Sequence, residues 1–247
     1  PVKFYNSISG EEFMLARKIS EAPVKISRLK AFSLVELLIS LALGSMLLLS
    51  FTYYYSNYYV VWQKQKEQFL LQKEAHQLAH YLQQHIQHLG YQGNNKEESN
   101  FELFEKDNQR FALNSQCLIF FYDLNGDGCL GKRATKKALC RNGQLNNTKD
   151  LAKEVFGFKL EEKEIHLYAD NRFENCLGEQ CKTLLDSCGN KWTKFTSKEE
   201  YLVDKLQFNW KKQNELMQID LTLSSIKDKK ISYHLTAYVY LLNGFTQ

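Results

Sequence analysis

From Phe32 to Val61 the chain carries a single charged side chain, Glu36, in an otherwise apolar run. At ~1.5 Å per residue, a helix over this stretch exceeds the ~20 residues needed to cross a bilayer. An ionised carboxylate in the hydrocarbon region costs roughly 2.5 to 3.5 kcal/mol on insertion scales, so it persists only with a partner or a function. A plain membrane anchor has no use for Glu36. Tyr53, Tyr54, Tyr55, Tyr58, Tyr59 and Trp62 crowd the far end of the run, where an aromatic belt meets the membrane interface. An ordinary signal anchor accounts for the belt equally well, but not for the carboxylate.

The flank preceding the run is basic. Lys25, Arg28 and Lys30 have no acidic residue among them, which predicts a cytoplasmic N-terminal side and places everything after the run outside the cytoplasm. The segment Lys30-Ala31-Phe32-Ser33-Leu34-Val35-Glu36-Leu37-Leu38-Ile39-Ser40 combines this flank with a small residue, a Phe and a Glu at the fifth position counted from that Phe. This resembles the prepilin signal of type IV pilins and type II secretion pseudopilins. The resemblance implies cleavage by prepilin peptidase between Ala31 and Phe32, N-methylation of the new Phe32 amine, and a role in assembly for Glu36. Ala31 stands where the family usually carries Gly; both are small, so cleavage is expected, at a lower rate. The expected chemistry follows from charge. The Phe32 ammonium and the Glu36 carboxylate of a neighbouring subunit are two costly ions that become one pair, and the pairing sets axial register.

On this reading residues 1–31 are a leader or upstream segment removed on processing, 32–61 the transmembrane half of a helix, 62–90 its amphipathic half and 91–247 a β-rich periplasmic head. Residues 1–23 exceed a usual leader and are expected to be either an over-extended reading frame or a longer leader lost on cleavage. The net charge of +4 over 247 residues lies mostly upstream of the cut, so the mature chain is near neutral and its overall charge does not select a nucleic-acid partner. The two prolines, Pro1 and Pro23, also lie upstream, which leaves long uninterrupted helices and strands permitted.

Beyond the apolar run, Leu71, Ala75, Leu78, Leu82, Ile86 and Leu89 recur at spacings of three and four, one apolar face of a continuing helix, with Gly90 as its stop. Glutamines occupy much of the remaining surface. His76 and His80 have a metal-compatible i, i+4 spacing, but no acid or cysteine completes a set, so a solvated polar face is the reading for these histidines. Residues 90–115 read as polar loop. Cys117–Tyr122 reads as a buried strand and 156–160 with 165–167 as a hairpin. Residues 170–198 read as a cysteine-rich loop. Strands at 206–210, 217–223 and 231–241 read as an antiparallel meander whose one apolar face is covered by the Leu71–Leu89 stripe. The expected fold class is α+β: a long N-terminal helix packed on an antiparallel sheet head with a disulfide-rich loop.

Six cysteines, Cys117, Cys129, Cys140, Cys176, Cys181 and Cys188, all follow the membrane segment. In an oxidising compartment they are disulfide candidates, and six allow fifteen pairings. Three fall in each of two groups, so full pairing requires at least one bridge between the groups. No C-x-x-C spacing supports zinc.

Two further stretches carry candidate chemistry. Asp123-Leu124-Asn125-Gly126-Asp127-Gly128 matches the first half of a calcium loop, with Asp123, Asn125 and Asp127 as candidate ligands. Position 12 is Ala134 where a bidentate Glu is expected, and a strand rather than a helix precedes the loop; calcium is therefore a candidate cofactor beside the alternative of a tight Asx turn. Lys132, Arg133, Lys136, Lys137 and Arg141 form a basic run that makes DNA a candidate contact, though no aromatic platform is interleaved with it. No nucleophile–base set and no phosphate-cradling glycine loop is present, so no catalytic residue and no enzymatic activity are assigned.

The cysteine-containing head and the loop at 117–128 resemble those of PilW-type minor pilins, which implies a structural role: priming pilus assembly in the inner membrane with other minor and major pilins, and supporting motility, adhesion or DNA uptake. The alternatives are a minor pseudopilin of a type II secretion system and a membrane-tethered calcium-dependent binding module.

Overall fold

A computed structural model describes residues 33–93, 99–114, 117–170, 172–186 and 191–243. The chain divides into two compact units, Pro1–Tyr54 and Tyr55–Gln247. One helix, α1 (Leu34–Ile86, 53 residues), contributes to both.

In the first unit the described residues are helical, and their apolar side chains, Leu34 through Phe51, are exposed. This helix is long and apolar enough to cross a membrane. Its hydroxyls are satisfied internally: Ser40 donates to Leu37 O at 2.9 Å, Ser45 to Ala42 O at 2.8 Å and Ser50 to Met46 O at 2.8 Å. That back-bonding keeps polar side chains compatible with an apolar surround.

In the second unit the periodic stripe on α1 does what its spacing predicts. Leu71, Ala75 and Leu78 pack with Ile165, Val203, Leu221 and Leu223, while Leu82, Ile86 and Leu89 pack with Phe120, Phe158, Met217 and Ile219. The helix gives way to a turn that ends at Gly90, whose φ of +71 is the left-handed stop expected there.

Strands β1 (Phe111–Leu113), β2 (Cys117–Phe121), β5 (Val155–Glu161), β6 (Glu164–Tyr168) and β7 (Trp192–Lys194) form an antiparallel five-stranded sheet in the order β1-β2-β5-β6-β7. Strands β8 (Leu202–Lys212), β9 (Leu216–Ser224) and β10 (Ser232–Tyr240) form a separate antiparallel sheet in the order β10-β9-β8. A small hairpin pairs β3 (Arg141–Asn142) with β4 (Leu145–Asn146).

The continuous apolar character of β2 now has a cause: both faces are buried. Leu118 and Phe120 face α1 and the three-stranded sheet. Cys117, Ile119 and Phe121 face a second core built from α2 (Phe101–Phe104) and α3 (Glu179–Asp186). A strand covered on both sides has no polar face to alternate with.

Three expectations need correction. Residues 90–115 are not all loop, because α2 and β1 lie there. Phe101-Glu102-Leu103-Phe104 is too short to show periodicity; burial of Phe101, Leu103 and Phe104 selects its conformation. Residues 170–198 are not all loop either. α3 presents Cys181, Leu184 and Leu185 at i, i+3 and i+4, a signal present in the sequence but outweighed by the surrounding polar residues. The apolar stripe packs on residues of two sheets rather than one, because the hairpin β5–β6 joins β2 rather than the meander.

The glutamines of α1 have a function in the fold. Gln68 Nε2 donates to Ser232 O at 3.3 Å and Gln83 Nε2 to Tyr238 O at 2.7 Å. Both carbonyls lie on β10, an edge strand, so the helix covers a row of groups that otherwise invites another strand. The opposite edge, β8, is broken by register shifts at Val203/Lys205 and Trp210/Lys212, the other usual protection of an edge.

Candidate functional site

Two places carry the chemistry singled out in the sequence. The first is the start of α1. Ser33 O accepts from Glu36 N at 3.0 Å and from Leu37 N at 3.2 Å, so Ser33 occupies the N-cap and Glu36 lies in the first turn. A carboxylate there is favoured by the helix macrodipole. Among the described residues the Glu36 side chain has no ion-pair partner, in contrast to the internally satisfied hydroxyls that follow it. Ala31 and Phe32, the expected processing residues, lie outside the described residues.

The second is the loop at 123–131. Asp123 is buried (1% exposed) and its carboxylate is enclosed by backbone donors. Oδ1 accepts from Gly126 N at 2.7 Å; Oδ2 accepts from Gly128 N at 2.6 Å and Gly93 N at 3.1 Å. Gly93 is obligatory for this approach: a Cβ there meets Asp123 Oδ2 at 2.6 Å and Gly126 O at 3.2 Å. Asn125 Oδ1 accepts from Asp127 N and Asp127 Oδ1 from Cys129 N, both at 2.9 Å. The three predicted ligands thus share one loop, each with an oxygen turned onto a backbone N–H in successive Asx turns.

A fourth carboxylate, which the sequence did not single out, completes the arrangement. Glu154, 3% exposed, accepts from Leu124 N at 3.2 Å and Asn125 N at 3.1 Å through Oε1, and from Gly131 N at 2.6 Å through Oε2. Burial pushes its carboxyl up to about 7, with Asp123 and Asp127 adding repulsion and the N–H donors opposing the rise. Glu154 precedes β5 in a stretch of ordinary mixed charge and lies far from the loop in sequence, so no local signal marks it. Asn100, Asn146 and Thr148 form a second buried set that the sequence did not flag. Asn100 donates to Leu130 O at 2.9 Å and to Asn146 Oδ1 at 2.7 Å, and its Oδ1 accepts from Leu130 N at 2.7 Å.

Asp123 spends both oxygens on backbone N–H groups, Glu154 does the same, and the loop closes around its own amides. Among the described residues no group of three or more His, Cys, Asp or Glu side chains is arranged to hold a metal. Two histidines of α1 are engaged with tyrosine hydroxyls. His76 Nε2 lies 3.2 Å from the Tyr233 hydroxyl, and His85 Nδ1 lies 2.9 Å from the Tyr122 hydroxyl while its ring stacks on Phe156 at 4.6 Å. Burial and the neighbouring His88 lower the His85 pKa.

Part of the basic run is structural. Arg133 donates to Ala138 O at 3.1 Å and Asp127 O at 3.0 Å, and Arg141 pairs with Glu102 at 3.0 Å. Lys132, Lys136 and Lys137 are exposed. Lys132 and Lys136 border a cleft of about 730 Å³ beside the 123–131 loop.

Two disulfide bridges form, each within one of the two groups of cysteines. Cys129 bridges Cys140 and Cys176 bridges Cys181, with Cα separations of 5.8 and 5.2 Å. Cys117 is also disulfide-bonded, and no described cysteine is free. Cys188, which the expected bridge between the groups requires, lies outside the described residues.

A family profile described as prepilin peptidase-dependent protein B matches residues 64–241, and one described as the prokaryotic N-terminal methylation motif matches residues 26–52. An uncharacterized protein of Haemophilus influenzae is 32% identical over 191 residues, covering 70% of this chain and 79% of the relative. No solved structure matches the chain.

Proposed function

The chain belongs to the prepilin peptidase-dependent protein B family, and on that premise we propose that it is a minor pilin of a type IV pilus. Prepilin peptidase cuts between Ala31 and Phe32 and the new amine is methylated. The apolar part of α1 is held in the inner membrane before assembly and packs among the helices of other pilins afterwards. The head lies in the periplasm, a placement supported by its disulfides and by the basic residues upstream of the helix. Its role is structural: to prime assembly of a fibre used for motility, adhesion or DNA uptake.

One observation carries this reading. Glu36 is a carboxylate in an exposed apolar helix whose hydroxyls are internally bonded, so its partner has to come from outside the described chain. A methylated Phe32 ammonium on a neighbouring subunit meets that need and selects helical register rather than adding much net stability.

Mass spectrometry of the native protein is expected to show a chain beginning at methylated Phe32, and Glu36→Ala is expected to leave processing intact while abolishing surface pili. A native chain that retains Lys30 overturns the proposal. Loss of protein secretion with normal piliation in a deletion strain assigns the chain to a type II secretion system instead.

A further inference from the structure

Lys132 and Lys149 stand directly opposite each other on a single antiparallel bridge outside the named strands. Lys132 N donates to Lys149 O at 2.7 Å, and Lys149 N donates to Lys132 O at 3.0 Å. Two residues that exchange both backbone bonds in this way project to the same side, with Cβ atoms about 5 Å apart. Both side chains are exposed. Like charges directly opposite each other destabilise a ladder, and among the described residues no carboxylate pairs with either ammonium.

The contact is built by the backbone. Gly131 has a φ of +83, and a Cβ there would meet Lys149 O at 2.8 Å and Thr148 Oγ1 at 2.9 Å. A glycine at this position is what lets the 129–140 loop approach residues 148–149 so closely. The Cys129–Cys140 bridge closes the same loop at its two ends. Lys149 lies outside the basic run in the chain and joins it only through this bridge.

The charge around the bridge is unbalanced. Lys136 and Lys137 are exposed on the same loop and also have no ion-pair partner among the described residues. The neighbouring acids are occupied. Asp150 pairs with Lys153 at 3.1 Å, Asp127 Oδ1 accepts from Cys129 N at 2.9 Å, and buried Glu154 holds three backbone donors. The arginines of the run are turned onto the protein, Arg133 to backbone carbonyls and Arg141 to Glu102, so the unpaired charge is carried by lysines.

We infer that this surface binds the phosphate backbone of duplex DNA. A phosphate between Lys132 and Lys149 turns one repulsive pair into two attractive ones. Lysine meets phosphate as a point charge, whereas planar carboxylates favour the arginine fork. Among the described residues that line the cleft beside Lys132 and Lys136 none is aromatic, so an unstacked base finds no ring there. A duplex, whose bases are stacked internally, therefore fits better than a single strand. Contacts to phosphate alone carry no sequence information and weaken steeply with salt. The surface lies wholly within the unit Tyr55–Gln247, so the inference stands apart from polymerisation. A negative result removes a direct DNA contact and leaves the fibre-subunit reading, which the native N-terminus tests.

The test is fluorescence anisotropy of a labelled duplex of about 20 base pairs, titrated with the full-length protein in neutral detergent micelles at several salt concentrations. The duplex is expected to bind irrespective of sequence, with log K falling against log salt at a slope of about −2 to −4 as the lysines neutralise phosphates. Lys132→Gln with Lys149→Gln is expected to weaken binding by about tenfold and to reduce the slope by about 2. This variant relieves a like-charge contact, so it is expected to unfold in urea no earlier than wild type, which separates lost affinity from lost folding. Lys229→Gln with Lys230→Gln, an exposed pair of the same charge between β9 and β10, is expected to leave affinity within about twofold. No duplex binding at low salt, an equal effect of the two double variants, or poly-L-glutamate binding as tightly as DNA each overturns the inference, the last in favour of an acidic polypeptide.

Discussion

Replacing Glu154 by Gln and following unfolding against pH isolates the force that holds the 123–131 loop. The Glu154 carboxyl titrates near 4.5 when solvated and is pushed up to about 7 in the fold. At ~1.36 kcal/mol per tenfold change in proton affinity, that interval corresponds to about 3 kcal/mol. The sign follows from proton uptake. Between these values the folded chain keeps a proton that the unfolded chain has lost. The contribution is therefore fully present below about pH 4.5 and is lost as pH rises through 7. Other groups superimpose their own slopes. His85, lowered by burial, gains in stability with rising pH near neutrality, and the carboxylates of Glu67 and Asp220, lowered by their partners, act only at more acid pH. The difference between wild type and Glu154→Gln cancels these. At pH 5 the variant is expected to be less stable by about 1–3 kcal/mol, because its amide turns one N–H toward the Leu124, Asn125 or Gly131 donors in place of an acceptor. By pH 8 wild type has lost its protonation advantage, and the gap is expected to close or reverse. Urea unfolding of the full chain in micelles, read by tryptophan fluorescence at both pH values, measures it. A gap that stays constant from pH 5 to pH 8 refutes the reasoning, since it would mean that Glu154 ionises in the fold as it does in water.

Gly93→Ala places a Cβ 2.6 Å from Asp123 Oδ2 and near the Gly126 backbone; it is expected to cost about 1–3 kcal/mol by urea unfolding, because the Asp123 carboxylate has to leave its backbone donors. Gln68→Ala combined with Gln83→Ala is expected to cost about 1–2 kcal/mol and to produce self-association in micelles by light scattering, because both uncovered carbonyls belong to the β10 edge.

Much of the architecture was legible in local pattern. The stripe from Leu71 to Leu89 announced which face of α1 is buried, since a helix repeats every 3.6 residues wherever it sits. The alternation at 217–223 and 231–241 announced β9 and β10 in the same way. What the pattern lacked was partner choice: hairpin β5–β6 pairs with β2, and its alternation alone fits either sheet. α2 was invisible because four residues hold no period, and only the shared core with Phe121 and Leu184 shapes them.

The site divides along the same line. Glu36 stood out by itself, because a charge in an apolar run violates a rule that needs no third dimension. Asp123, Asn125 and Asp127 were equally visible, as an Asx-Gly spacing is local. Glu154 and Asn100 were not: nothing in their neighbourhoods is unusual, and their importance comes from what the fold brings within about 3 Å of them. Sequence alone therefore determined the long apolar segment, its solitary carboxylate and the helix face turned to the core, all consequences of short-range periodicity and of the energy of a charge in oil. Tertiary structure decided where each buried carboxylate finds its donors and which aromatic rings pack against α1, because those contacts join residues that chain order leaves far apart.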